Sequence, residues 1–306
     1  MLSGFVLTLP FLRGPVPVGP FLVRRVCRIW LPYLAALALA LGWHAGFVAV
    51  MGWPWPLPGW PLVASHLLLI GVFDTHAING VIWSLVHELR VSLVFPLVAR
   101  AALGPHPALA LGGAALLSAA GLIGFRLSQV GGAPNDLFMT AHYLLLFVVG
   151  ALLARYRERL LAGWAALGRA GRAAALAGAG LAYVGAGPLA EAWLANASVA
   201  RQALHHGLVG AACVAFLLAA LAPGTVQALL GLAANRFLGR VSYSLYLVHL
   251  PVLAALHGQL GLRGPAFVTG AIALSLALAW AGERWVERPA IALGRHLAGR
   301  LAPAVA

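Results

Sequence analysis

The stretch PALALGGAALLSAAGLIGFRL, residues Pro107–Leu127, decides the fold class. It contains a single charged side chain, Arg126, and its polar and apolar residues do not alternate. A helix of this length rises about 30 Å, which matches the hydrocarbon core of a bilayer. A strand of a membrane β-barrel would show alternation, so the stretch predicts a transmembrane helix.

The composition extends this prediction to the whole chain. Hydrophobic residues make up 62% of the 306 residues and charged residues 9%. About a quarter of the residues in a soluble domain are charged, and disordered chains are poor in apolar residues. Both classes are therefore excluded, and the chain is predicted to be an all-α polytopic transmembrane bundle.

Apolar runs of similar length recur along the chain. Met1–Leu12 is too short to cross a bilayer and predicts a partial span, whereas Pro61–Phe73 predicts a re-entrant or interfacial segment. We expect one membrane-embedded domain over residues 1–295 and a short tail over residues 296–306. About eight full spans are predicted, at Ile29–Met51, Ile78–Ala99, Pro107–Leu127, Phe138–Ala154, Ala173–Leu189, Leu204–Ala222, Leu238–His257 and Pro265–Val286.

The charge is strongly positive, with 20 basic residues, all of them Arg, against 7 acidic ones. Nucleic acid is one partner that such a balance suggests, but the Arg residues crowd alternate connections, which is typical of cytoplasmic loops. We therefore predict a multi-pass membrane protein with a cytoplasmic C-terminus and no nucleic-acid partner. Cys27 and Cys213 are isolated and predict neither a disulfide framework nor a metal site.

One apolar span carries a polar stripe. Ser84, Glu88 and Ser92 recur every four residues, so they share one helix face, and His87 and Arg90 flank them. Ionisable groups inside a membrane are costly and usually mark a site, so Glu88 and His87 are candidate catalytic residues. The structural alternative is an ion pair of Glu88 with Arg90 or His87.

A basic cluster, Arg24, Arg25 and Arg28, precedes the first long span. Arg25 and Arg28 are three residues apart, which places both guanidinium groups on one helix face. Guanidinium groups bind phosphates through paired hydrogen bonds, so the cluster is a candidate cofactor site. The alternative is a membrane anchor.

Two further clusters lie near the C-terminus. The run from Phe237 to Pro251 is rich in hydroxyl groups and places His249 about two turns inside a span, either as a base or as a packing residue. In the run from Glu283 to Pro289, Arg284 and Glu287 have the spacing of a helical salt bridge. Four more His residues lie in apolar segments without a supporting pattern: His66, His142, His205 and His206.

Together these motifs resemble the acyltransferase-3 family of bacterial integral-membrane acyltransferases. The matches follow the family's order along nearly the whole chain: Ser3-Gly4-Phe5, Arg25 and Arg28 before Pro32-Tyr33, Trp83-Ser84-Leu85 with Glu88 and Pro96, Ser242-Tyr243-Ser244-Leu245-Tyr246-Leu247 with His249 and Pro251, and Glu287-Arg288-Pro289. The resemblance implies about ten membrane helices. It also implies transfer of an acyl group, often acetyl, from acyl-CoA to a hydroxyl of a cell-surface glycan or a similar acceptor.

The resemblance also assigns roles to residues. Arg25 and Arg28, with Arg24 beside them, are expected to hold the phosphates of acyl-CoA, and Ser3 to help shape an acyl channel. Family members carry an earlier helix with a His thought to be the catalytic base, so we expect the chain to be N-terminally truncated. His87, and next His249, are then the candidate substitute bases, with Glu88 orienting the base.

Two other functions are compatible with many spans and buried charge. One is a transporter or flippase, although no internal repeat supports it. The other is an inactive acyltransferase remnant. The sequence predicts no oligomeric state.

Overall fold

The computed structural model describes residues 1–51, 58–69, 71–194 and 198–301. The described residues form α-helices joined by turns and two π-helical segments, Ala254–Gln259 and Glu283–Glu287, and contain no strand. The helices are α1 (Leu2–Thr8), α2 (Val18–Met51), α3 (Trp60–Leu68), α4 (Trp83–Leu103), α5 (Pro107–Val130), α6 (Leu137–Arg155), α7 (Arg157–Ala166), α8 (Gly168–Leu194), α9 (Ser198–Leu221), α10 (Thr225–Leu230), α11 (Ala233–Leu253), α12 (Gly264–Gly282) and α13 (Arg288–Leu301).

Most of these helices are long enough to span a membrane. Among the described residues, 7 helical stretches are both long and apolar enough to cross one, and they contain α2, α5, α6, α8, α9, α11 and α12. Helix α4 has a comparable length of 21 residues but carries Glu88, Arg90 and Arg100. The predicted class, an all-α polytopic bundle, is confirmed. Helices α1 and α3, with 7 and 9 residues, are too short to cross, in agreement with the sequence.

Two helix boundaries differ from the prediction. Helix α2 begins at Val18 rather than near Ile29, because Pro20 fits a first turn and no helix breaker follows it before Pro32. The basic cluster therefore lies inside the helix rather than before it. The span predicted to begin at Ile78 begins at Trp83, after a series of turns.

The chain forms two compact units. Unit 1 comprises Met1–Val16 and Val94–Asn235. In one of its apolar clusters Phe5 packs with Leu153 and Ala154, and in another Trp164 packs with Ala219 and Ala222.

Unit 2 comprises Pro17–Leu93 and Arg236–Ala306. Its core contains fully buried side chains from α2, from the turns before α4, and from α11, among them Tyr33, Ile82 and Leu247. Helix α13, which includes residues predicted as a tail, packs on α2. At Gly294 the two helices approach so closely that a Cβ atom would lie 2.9 Å from Cβ of Cys27.

Glycines also join α1 to α6 in unit 1. A Cβ atom on Gly4 would collide with the backbone carbonyl of Phe147, and one on Gly150 would collide with the backbone of Met1 and Phe5. The glycine of the Ser3-Gly4-Phe5 motif is therefore needed for close helix packing.

Replacement of Gly4 by valine is expected to destabilise unit 1 by about 1–3 kcal/mol, because the obstructing atoms belong to the backbone and have no rotamer to move into. The measurement is the unfolding midpoint of the purified protein in detergent. Gly112→Val is the control, since Gly112 lies in α5 with open space around it. Equal midpoints for the two variants would contradict the packing role.

Candidate functional site

The polar stripe of α4 meets the basic cluster of α2 in unit 2. Arg25 Nη2 donates to Glu88 Oε1 at 2.7 Å, and Arg25 Nε donates to Ser92 Oγ at 3.3 Å. The two charged side chains are only 12% and 28% exposed. The ion-pair partner of Glu88 is therefore Arg25, from a different helix, rather than Arg90 or His87 of its own helix.

This ion pair changes how the basic cluster is interpreted. Arg25 is turned toward Glu88, whereas Arg24 and Arg28 are exposed. Arg24 and Arg28 are four residues apart, so they share a face of α2. The guanidinium groups that remain accessible to an anion are those of Arg24 and Arg28.

Helix α11 is joined to α4 and α2 by tyrosine hydroxyls. Ser84 Oγ and Tyr246 Oη lie 2.8 Å apart, and the Tyr246 hydroxyl donates to the Val81 carbonyl. The Tyr243 hydroxyl donates to the Ile29 carbonyl of α2 at 2.8 Å. The polar stripe of α4 and the hydroxyl-rich run of α11 are therefore joined by hydrogen bonds.

Asn79 provides a contact that sequence reasoning missed. Its Nδ2 donates to the Leu247 carbonyl at 2.9 Å, and the side chain is buried. Leu247 lies four residues before Pro251, which has no N–H to donate to that carbonyl. Asn79 replaces the missing helical bond, and the only sequence signal for it was the proline.

His249 lies on α11 with its tautomer defined by the backbone. Its Nδ1 is 2.9 Å from the Tyr246 carbonyl and 3.2 Å from the Leu245 carbonyl. Carbonyl oxygens only accept hydrogen bonds, so Nδ1 is the donor, and in the neutral ring the free lone pair is on Nε2. An imidazole in this state can accept a proton at Nε2.

An apolar groove between α11 and α12 is lined by His249. Its volume is about 730 Å³, within the usual range of ligand pockets. Leu245, Leu253 and Ile272 supply hydrocarbon surface, and Ser275 supplies a hydroxyl. The groove thus combines a proton acceptor with space for a substrate.

His87 is placed differently. It is 6% exposed, and its ring lies 6.1 Å from the ring of Trp83. It does not belong to the lining of the His249 groove. Its neighbour Arg90 donates to the Gly71 carbonyl at 2.6 Å and so holds the turns that lead into α4.

The acidic residues at the end of α12 lie in a π-helical segment and are buried. Glu287 Oε2 accepts a hydrogen bond from Ser244 at 3.1 Å, and Glu283 pairs with Arg288 at 2.6 Å. The expected salt bridge between Arg284 and Glu287 is replaced by these contacts, because the wider π turn alters the spacing at which side chains meet.

Unit 1 contains a separate polar chain. Ser118 Oγ lies 2.8 Å from His142 Nδ1, and His142 Nε2 lies 2.7 Å from His206 Nδ1. These residues come from α5, α6 and α9, so no sequence spacing revealed the contact. Ser3, a predicted contributor to an acyl channel, lies half-buried in α1 of this unit.

The helices and the buried polar residues define a multi-pass membrane protein with a candidate catalytic groove. Residues 1–284 match the sequence profile of the acyltransferase-3 family, described as an acyltransferase domain. The chain therefore belongs to the acyltransferase-3 family and is a membrane acyltransferase by family. No curated protein and no solved structure matches the chain.

Proposed function

We propose that the protein transfers an acyl group from acyl-CoA to a hydroxyl of a cell-surface glycan or similar acceptor. It would act as a multi-pass enzyme of a bacterial cytoplasmic membrane, with its C-terminus in the cytoplasm. Family membership favours this function over a transporter. The observation that carries the proposal is the geometry of His249, whose Nδ1 is bonded to backbone carbonyls while the residue lines a ligand-sized groove.

The chemistry requires one base. His249 Nε2 accepts the proton of the acceptor hydroxyl as the oxygen attacks the thioester carbonyl carbon. A new C–O bond forms and the C–S bond breaks, and the His249 imidazolium returns the proton to the departing thiolate. A positioned His base typically contributes about 10²–10⁴-fold to the rate. We assign this role to His249 rather than to the packed His87.

Donor binding is assigned to the exposed arginines of α2. Arg24 and Arg28 share one helix face and suit the phosphates of coenzyme A, since guanidinium groups bind phosphate through paired hydrogen bonds. Arg25 is a positioning residue in this proposal. Its ion pair with Glu88 fixes α2 against α4 and so sets the direction in which the other two arginines point.

Arg28→Gln is expected to raise KM for acetyl-CoA about tenfold with little change in kcat, because a phosphate contact outside the reacting centre contributes mainly to binding. The measurement is release of free thiol from acetyl-CoA by the purified chain, with N-acetylglucosamine as the hydroxyl probe. Arg169→Gln removes the same charge from an exposed position of α8 in unit 1 and serves as the control.

The same assay tests the function itself. Thiol release that depends on both the protein and a hydroxyl acceptor would support acyl transfer. Absence of thiol release with N-acetylglucosamine and with extracted bacterial polysaccharide would overturn the proposal and favour the inactive remnant.

A further inference from the structure

A buried carboxylate in unit 2 is shared by two arginines. Glu283 lies in the π-helical segment after α12, and its side chain is 6% exposed. Its Oε1 atom lies 2.6 Å from Nε of Arg288 on α13 and 3.9 Å from Nε of Arg240 on α11. One negative charge therefore faces two positive charges, and the three side chains together carry a net positive charge.

The two guanidinium groups are held in place but remain accessible. Cζ of Arg240 lies 5.6 Å from the centre of the Phe237 ring, a cation–π contact that holds this group from a second side. The Arg240 and Arg288 side chains are 52% and 46% exposed. Both contact Glu283 through Nε, and their Nη groups make no hydrogen bond within the part of the chain that the structure describes. These Nη groups can therefore donate to an anion.

This arginine pair lies at the same end of unit 2 as the arginines of α2. The Tyr243 hydroxyl donates to the Ile29 carbonyl, so α11 and α2 lie side by side there. Trp43, further along α2, packs against the cluster at the C-terminal end of α11, so the two helices run in the same direction. Arg240 is three residues before Tyr243, about 4.5 Å along α11, and Arg28 directly precedes Ile29.

A single phosphate group is the anion that this pair suits. Guanidinium groups bind phosphate through paired hydrogen bonds, and a phosphate monoester presents three acceptor oxygens and nearly two negative charges. Arg240 and Arg288 meet at one carboxylate oxygen, so both can reach one such group. Arg24 and Arg28 instead stand on successive turns, about 6 Å apart along α2, and suit two linked phosphates. Coenzyme A contains both kinds of group, a diphosphate and a 3′-phosphate on its ribose.

We propose that Arg240 and Arg288, held by Glu283, bind the 3′-phosphate of the acyl-CoA donor. The proposal rests on the proposed function and adds a second phosphate site to its donor site. Glu283 is a positioning residue, because it is buried and contacts the arginines. A lipid such as phosphatidate also carries a phosphate monoester, so the experiment distinguishes these two sources.

The experiment measures Kd of coenzyme A and of 3′-dephospho-coenzyme A for the purified chain in phosphatidylcholine nanodiscs. The wild type is expected to bind coenzyme A at least about tenfold more tightly, since hydrogen bonds to a charged group contribute strongly. Arg240→Gln and Arg288→Gln are each expected to weaken coenzyme A binding about tenfold and to change binding of the dephospho ligand less than about twofold. The control is Arg300→Gln, which removes an exposed charge further along α13.

The two ligands separate the possible outcomes. Equal affinity of the wild type for both ligands, or an equal loss of affinity for both in the two variants, would overturn the assignment. Nanodiscs that also contain phosphatidate test the lipid source. If phosphatidate raised Kd of coenzyme A for the wild type and not for Arg288→Gln, the site would belong to a lipid headgroup, and the donor assignment would be wrong.

The binding measurement is independent of acyl transfer, so the two proposals can fail separately. A chain that discriminates the 3′-phosphate through Arg240 and Arg288 but releases no thiol in the transfer assay would keep this site and refute the proposed function. A chain that transfers acyl groups equally well from acetyl-CoA and its 3′-dephospho form would keep the function and refute this site.

Discussion

His249→Gln is expected to lower kcat for acyl transfer by about 10²–10⁴-fold, the largest effect on activity that we predict. Glutamine is similar in size to histidine and keeps a polar amide at this position. It cannot accept and return a proton. Loss of rate with an unchanged unfolding midpoint would therefore identify the base rather than a packing residue.

The controls for this prediction are two other histidines. His296 is exposed on α13, and His296→Gln is expected to leave kcat within about twofold. His87→Gln tests the rival base, which is buried against Trp83. If His87→Gln abolished transfer and His249→Gln did not, the assignment of the base would be wrong.

Glu88→Ala is expected to cost about 2–4 kcal/mol of stability, the largest structural effect that we predict. Removal of the carboxylate leaves the Arg25 guanidinium, which is 12% exposed, without its ionic partner. The cost of an unpaired buried charge usually exceeds the net contribution of the intact pair. We expect a smaller loss of stability than the largest losses known for fully buried ion pairs, because the Glu88 side chain is 28% exposed.

A double-mutant cycle measures this interaction directly. Unfolding in detergent is followed for Glu88→Ala, Arg25→Ala and the double variant, and the double variant should be more stable than the sum of the single changes predicts. The control pair is Arg157 and Glu158, whose charged atoms are 3.7 Å apart on exposed side chains and should show no measurable coupling. Additive effects for Arg25 and Glu88 would contradict the ion pair.

The contacts around α11 show why only part of the site was predictable. The stripe of Ser84, Glu88 and Ser92 was visible because a helix repeats its faces every three to four residues. The partner of Glu88 lies 63 residues away, and Asn79 contacts a carbonyl 168 residues away. No local spacing encodes such contacts, since they depend on how each helix rotates about its own axis when it packs.

The polar chain of unit 1 is a second example. Ser118, His142 and His206 stand singly in three apolar helices, and each one viewed alone resembles a packing residue. Their contact required α5 and α6 to approach closely at Gly121, where a Cβ atom would lie 2.9 Å from the His142 backbone nitrogen. The π-helical segment is a third example. Local periodicity predicted a salt bridge between Glu287 and Arg284, but in the wider π turn the Glu287 carboxylate accepts a hydrogen bond from Ser244 instead.

The amino-acid sequence by itself determined the membrane class, the approximate position of the long helices, the face of α4 that carries polar groups and, through its motifs, the family. These properties depend on composition and on periodicities within one helix, which are local. Tertiary structure alone decided that Glu88 pairs with Arg25, that Arg24 and Arg28 remain exposed, that Ser84 meets Tyr246, and that His249 lines a groove between α11 and α12. Those outcomes depend on the packing of helices that are distant in sequence, where a few ångströms determine which polar groups meet.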